Sequence, residues 1–238
     1  MYADSNADWI LKHTRAEAAV GRMAEPVVVT DCSTVGALLQ PRFAVSQQRE
    51  DGSVKLRAID DFSWGNHGDG LVDSVNGFLV PGEKLKHDTL DAFCGGLRLF
   101  VDKVQEIPES YKGDVDAAFR RMPIREDQRW LCGIAFKVDE QVSCLCVAGT
   151  DHSLVLQIYV SEHYACPFGA IGSVHAWEGM GDAITHIARW YLKLALFRYV
   201  DDFYGPERYG ACRVHVLRDI ILYAGRSVFN MRWSAWVV

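Results

Sequence analysis

The chain has 238 residues, of which 49% are hydrophobic and 24% charged, and its formal net charge is −6. That length is enough for one large domain or two modest ones, and the composition is that of a globular protein rather than a disordered or fibrous one. The acidic balance argues against a simple nucleic-acid coat protein but leaves room for an acidic metal centre inside a locally basic cleft.

No apolar run approaches the roughly 18–20 residues that cross a bilayer. No signal-peptide core follows Met1-Tyr2-Ala3-Asp4, so the chain is expected inside the cell and off the membrane, with no choice between nucleus and cytoplasm. The 7 cysteines are irregularly spaced. Cys144 and Cys146 form a CxC without a second close pair, so reduced, mostly buried thiols are expected rather than a zinc site.

Residues 4–22 are predicted to form a helix with Trp9, Ile10, His13, Ala16 and Val20 on one face, capped by Asp4 or Ser5 and ended by Pro26. Val27 to Thr30 and Pro41 to Ser46 are β-prone, and Asp51-Gly52 marks a hairpin turn. Beyond it Leu56, Ala58 and Asp60 alternate with Lys55, Arg57 and Ile59. The hairpin thus has a basic face, either a binding surface or a solvated one. Residues 64–82, rich in Gly, Asn and Asp, read as a loop. Residues 87–104 read as a helix carrying Leu90, Phe93, Leu97 and Val101, closed off by Pro108.

A short strand then presents Asp114, with Asp116 two residues on and so on the same strand face. Residues 130–160 read as β-rich segments at 130–138, 142–147 and 154–160, with turns at Asp139-Glu140 and 149–151, in an antiparallel sheet continuing from the Asp114 strand. A glycine-bearing turn at 167–173 leads into a helix over 174–196 with Val174, Trp177, Ile184, Ile187, Tyr191 and Leu194 as its apolar stripe. A further helix is predicted over 209–224, within a locally basic tail whose end exposes Trp233 and Trp236.

Between those last two helices lies Tyr199-Val200-Asp201-Asp202-Phe203, a hairpin with adjacent carboxylates between apolar flanks. Burying two like charges side by side is costly unless a cation neutralises them. A hard divalent cation, Mg²⁺ or Mn²⁺, matches paired oxygen ligands. A solvated turn that happens to carry Asp-Asp is the competing reading.

Taken in order, four segments resemble motifs of reverse transcriptases of retroviruses and retrotransposons, especially the retroelement-like polymerases encoded in fungal genomes. Arg57 with Asp61-Phe62 is similar to the fingers signature, and Gly113 to Ile124 to the first palm motif, with Phe119 five residues after Asp114. Pro167-Phe168-Gly169 with Ser173 is similar to the second motif, and Tyr199-Val200-Asp201-Asp202 to the Tyr-x-Asp-Asp box. The resemblance implies an α+β fold. Residues 1–110 would form an N-terminal helix and fingers, and 111–238 an antiparallel palm backed by helices, with a fingers insertion at about 125–170.

It also implies Asp114, Asp201 and Asp202 as catalytic metal ligands. Two Mg²⁺ ions (Mn²⁺ as substitute) about 3.5–4 Å apart would serve transfer of a dNTP to a primer 3′-OH on an RNA or DNA template. Arg57 and Lys55 would neutralise triphosphate charge. Phe119 would exclude a 2′-OH, and Phe168 and Gly169 would contact nucleotide and template. Asp116 is as readily a surface residue as a site residue.

The sequence departs from the family downstream. No lysine follows Lys193, no primer grip is recognisable, and the thumb is absent or incomplete. A truncated fragment is therefore expected, with further retroelement domains or chains as candidate partners. Two other readings stand: a catalytically silent remnant that at most binds nucleic acid, and an unrelated metal-dependent nuclease or phosphatase using Asp114, Asp116, Asp201 and Asp202.

Overall fold

The computed structural model describes residues 6–29, 38–65, 74–79, 84–141, 154–208 and 233–237. The fold is α+β and divides into two compact units, residues 1–80 with 123–171, and residues 81–122 with 172–238. Among the described residues no helix is long and apolar enough to cross a membrane.

The first unit holds a five-stranded mixed sheet in the order β1-β6-β5-β2-β3, built from β1 (Val27–Val28), β2 (Leu39–Gln48), β3 (Val54–Asp60), β5 (Gly133–Gln141) and β6 (Leu154–Glu162). The β2–β3 hairpin turns at Asp51-Gly52, as its sequence predicts, with Gly52 at φ +80°. Leu56, Ala58 and Asp60 turn inward and Lys55 and Arg57 outward, the expected alternation.

Helix α1 (Ala7–Ala19) is shorter than the predicted 4–22, and buries Ala7, Ile10, Leu11 and Thr14. Val20 lies beyond its end and is exposed. Ala7, Ile10 and Leu11 form a core with Met23, Ile134, Phe136, Val138 and Tyr159. At its polar edge Arg42 and Asp60 are both buried and doubly hydrogen-bonded, Nε to Oδ1 at 2.6 Å and Nη2 to Oδ2 at 3.0 Å. Arg42 Nη1 also donates to Thr14 Oγ1 at 2.8 Å, and the buried His163 ring has Nε2 3.1 Å from Asp60 Oδ2.

Several strand expectations are corrected here. The β-rich segment after residue 130 does not continue the Asp114 sheet. A 3₁₀ segment, Glu126–Cys132, precedes β5, which pairs in parallel with β2 (Leu39 opposite Gly133) and antiparallel with β6. Asp139 and Glu140 are not a turn, because β5 keeps pairing with β6 as far as Gln141. The loop predicted over 64–82 contains one helical turn, α2 (Val75–Phe78), with Ser74 as its N-cap. The elements predicted at 142–147 and 209–224, the turn at 149–151 and the caps Asp4 and Ser5 lie outside the described residues.

The second unit is a four-stranded antiparallel sheet, order β7-β8-β4-β9, from β4 (Glu109–Val115), β7 (Phe197–Tyr199), β8 (Asp202–Glu207) and β9 (Trp233–Val237). The tail tryptophans lie on a strand, Trp233 paired with Val115 and Trp236 with Lys112. Helix α3 (Leu90–Val104) starts at Thr89, whose hydroxyl accepts from the Ala92 N–H, and Phe93 meets Phe197 and Tyr204 edge-on.

Helix α4 (Ile171–Trp190) ends earlier than the predicted 196. Lys193 takes a left-handed conformation, and Leu194 N–H closes onto Ala188 O at 3.0 Å. Its buried face is Ser173, Trp177, Gly181, Thr185 and Ala188, whereas the predicted stripe members Ile187 and Tyr191 are 46% and 78% exposed. Beside the large Trp177, that face is small at Gly181, where it packs against the Arg198 side chain. An alanine Cβ at Gly181 would lie 2.7–2.9 Å from atoms of the Arg198 side chain.

Candidate metal centre

The second unit's sheet brings together the three carboxylates singled out in the sequence. β4 and β8 run antiparallel with Asp114 opposite Asp202 and Gly113 opposite Phe203. Asp201 precedes Asp202 in the two-residue loop that joins β7 to β8 (Tyr199 opposite Asp202), and its carbonyl accepts the Val115 N–H at 3.2 Å. Strand register sets Asp114 opposite Asp202, and the β7–β8 loop carries Asp201 beside them, although the residues are far apart in sequence.

The loop that presents Asp201 is strained and held. A two-residue hairpin loop needs φ > 0 at its first position, normally supplied by Gly, Asn or Asp. Here that residue is Val200, at φ +55°. A non-glycine residue in this region costs about 1–3 kcal/mol and persists only where its surroundings enforce it. The enforcement is visible: Val200 O accepts from Trp177 Nε1 at 2.9 Å and from Arg198 Nη1 at 3.0 Å.

Arg198 is itself buried and anchored, with Nη2 2.9 Å from Glu178 Oε1 and 2.6 Å from Asp182 Oδ1. Asp88 Oδ2 accepts the Arg198 N–H at 2.8 Å and Arg189 Nη2 at 2.7 Å. The core beneath comprises Tyr111, Val115, Ala118, Trp177, Ala188, Leu194, Leu196 and Phe203.

The electrostatics of the three carboxylates are unequal. Asp114 is pushed above the usual carboxylate range by partial burial, then by the neighbouring Asp201 and Asp202 charges. Asp201 is raised as well, by burial first and then by Asp202, against the pull of its own backbone N–H. Asp202 has a cation of its own, since Lys112 Nζ lies 2.9 Å from Asp202 Oδ2. Among the described residues no salt bridge reaches Asp114 or Asp201, which feel Lys112 only at longer range. Nor do three His, Cys, Asp or Glu side chains among the described residues converge as a ready-made metal site.

The remaining predicted residues divide between the units. Phe119 follows β4 in a 3₁₀ turn, Ala118–Arg121, and is half-buried against the core of the second unit. Asp116 does not share a strand face with Asp114. β4 ends at Val115, Ala117 turns left-handed, and Arg121 closes the turn onto Asp116, Nε to O at 3.1 Å and Nη2 to Oδ2 at 3.2 Å. That makes Asp116 a turn residue.

Lys55 and Arg57 are exposed on β3 of the first unit. Phe168 and Gly169 are exposed in the same unit. Gly169 sits at φ +94° against Asp60 O, a position where a Cβ would collide, so it has a packing reason of its own. Among the described cysteines, Cys94, Cys132 and Cys166 form no disulfide; Cys166 is buried, and Cys94 and Cys132 are only partly so.

Sequence reasoning missed Lys112, Trp177 and Arg198 in the second unit, and the Arg42–Asp60–His163 cluster in the first. For Arg198 there was a signal: an arginine between Phe197 and Tyr199 in an apolar run requires anionic partners, which the nearly buried Glu178 and the more exposed Asp182 supply. No protein-family model matches the chain, and no characterised protein matches it significantly.

Proposed function

We propose that the chain is a reverse-transcriptase-like nucleotidyltransferase domain, adding dNTPs to a primer 3′-OH on an RNA or DNA template. In this reading the second unit is the palm and the first unit belongs to the fingers. The observation that carries it is the placement of Asp114 beside Asp201 and Asp202 on adjoining strands, with Asp114 and Asp201 both holding their protons more tightly than ordinary carboxylates. Carboxylates in that state gain from a cation.

The chemistry of the donor set suits Mg²⁺ or Mn²⁺: hard carboxylate oxygens from Asp114 and Asp202 on paired strands and from Asp201 in the β7–β8 loop, which among the described residues do not yet converge as a ready-made site. Asp114, Asp201 and Asp202 would hold the metal. Bound there, it would supply charge neutralisation for the triphosphate and acidify the primer hydroxyl. The chain's own residues do the rest. Trp177 and Arg198 fix the loop that carries Asp201, and Phe119, braced by the core behind it, limits the space at the sugar.

The test is extension of oligo(dT) on poly(rA) with Mg²⁺ or Mn²⁺, beside Asp114→Asn and Asp201→Asn. Extension by the wild type and a loss of at least about 10³-fold in both variants is expected, the scale on which catalytic electrostatics act. Equal activity in wild type and variants would end the reading. No extension by a protein folded by circular dichroism would favour the silent, nucleic-acid-binding remnant.

A further inference from the structure

We propose that Lys112 is a built-in counter-cation of the carboxylate cluster: it holds Asp202 until a divalent cation displaces it, so Asp114 and Asp201 engage metal first and Asp202 last. The inference rests on the metal-centre reading and adds to it an order of recruitment and a positioning residue.

The geometry comes from the sheet. Lys112 lies two residues before Asp114 on β4, so both side chains leave the same face. Lys112 is opposite Tyr204 and Asp114 is opposite Asp202, which makes Lys112 and Asp202 diagonal cross-strand neighbours. Such a diagonal is too long for short side chains but within reach of a lysine. The ammonium closes it at 2.9 Å.

The pair is built to exchange. Lys112 is 52% exposed and Asp202 33%, so water can replace either partner and salt screens the attraction. Contrast Arg198, whose carboxylate partners hold it in the interior of the same unit. Asp114 and Asp201 repel each other with no salt bridge among the described residues, so an arriving cation finds its strongest attraction there. With Asp202 on Lys112, three carboxylates do not converge, in keeping with the absence of a ready-made metal cluster among the described residues.

The experiment is Mn²⁺ binding to the full chain, read from the electron paramagnetic resonance of free Mn²⁺, for wild type, Lys112→Met, Lys112→Arg, Asp202→Asn and the Lys112→Met/Asp202→Asn double variant. Lys112→Met is expected to bind about tenfold more tightly than wild type, a gap that narrows with added KCl. Lys112→Arg, which keeps the cation, is expected to stay within about twofold of wild type. In the Asp202→Asn background the Lys112→Met gain is expected to shrink to less than about twofold, because the lysine acts through Asp202.

Equal binding by wild type and Lys112→Met overturns the inference and leaves the metal centre intact. A full tenfold gain that persists without Asp202 also overturns it, since Lys112 would then be a general repulsive charge. Absence of Mn²⁺ binding in every protein overturns the metal centre and the inference together.

Discussion

Each unit places aspartate in a charged cluster, one aspartate in the first and three in the second, and the two are opposites. In the first, Asp60 is fully enclosed and saturated by Arg42 and by the His163 ring. Burial alone would raise its proton affinity, but the guanidinium and the imidazole overcome that and hold the carboxyl well below the usual range. In the second, Asp114 and Asp201 are only partly buried, and burial first and then the neighbouring carboxylates raise their proton affinity, with no salt bridge among the described residues to reverse it. Burial is common to both sites and does not decide the direction of the shift. Compensation does: Asp60 has nothing left to bind, whereas Asp114 and Asp201 have unmet demand for a cation.

The sharpest way to break the comparison is to remove the compensated acid. Asp60→Ala leaves the Arg42 guanidinium buried without its anion, and breaking a buried pair costs about 3–5 kcal/mol. Urea unfolding should show a loss on that scale, and a loss under about 1 kcal/mol would mean that water reaches Arg42. The pH dependence has a definite sign. Asp60 has a lowered folded value, so its contribution is present above the unfolded value of 3.8 and is lost as pH falls below it. The Asp60→Ala variant should lack that acid limb.

A smaller effect is expected where the second unit resembles the first, at the buried Arg198. Gly181→Ala places a methyl 2.7–2.9 Å from the Arg198 side chain, which cannot step back without leaving Glu178, Asp182 and Val200 O. Overpacking of this kind costs about 1–3 kcal/mol. Since Arg198 pins the Val200 loop, primer extension should fall by more than the lost stability explains. A wild-type melting curve would mean that the arginine is free to shift.

The same helix shows what the sequence could and could not reveal. The juxtaposition of Asp114 with Asp201 and Asp202 is expected from the motif resemblance and not from local rules: strand alternation alone puts Asp116 on the face of Asp114, and the end of β4 at Val115 and the left-handed Ala117 overrule it. The inner face of α4 was not legible from hydropathy. Ile187 and Tyr191 continue an apolar stripe but face solvent, while Gly181 and Thr185 face inward, Gly181 against the Arg198 side chain. Hydropathy has no way to encode a polar partner of that size. The pairing of β5 with β2 was hidden for a different reason. It is a parallel contact between distant segments, and alternation within β5 says nothing of which strand lies beside it. Lys112 was invisible until the register set its diagonal to Asp202.

The smallest predicted effect has the opposite sign to the first. Asp114 and Asp201 hold their protons more tightly in the folded chain than in the unfolded one, so ionising them at neutral pH opposes folding. The sign follows from linkage. Between the unfolded value of 3.8 and the raised folded value the native state binds more protons, and stability falls as pH rises through that window. Asp114→Asn removes the penalty, so without divalent metal it should melt about 1–3 °C above wild type at pH 7, and the gain should vanish below pH 3.8. Saturating Mn²⁺ should reverse the order, because it stabilises only the protein that still offers the carboxylate. A variant that melts below wild type at pH 7 without metal would make Asp114 a compensated acid like Asp60, and the distinction between the two clusters would go with it.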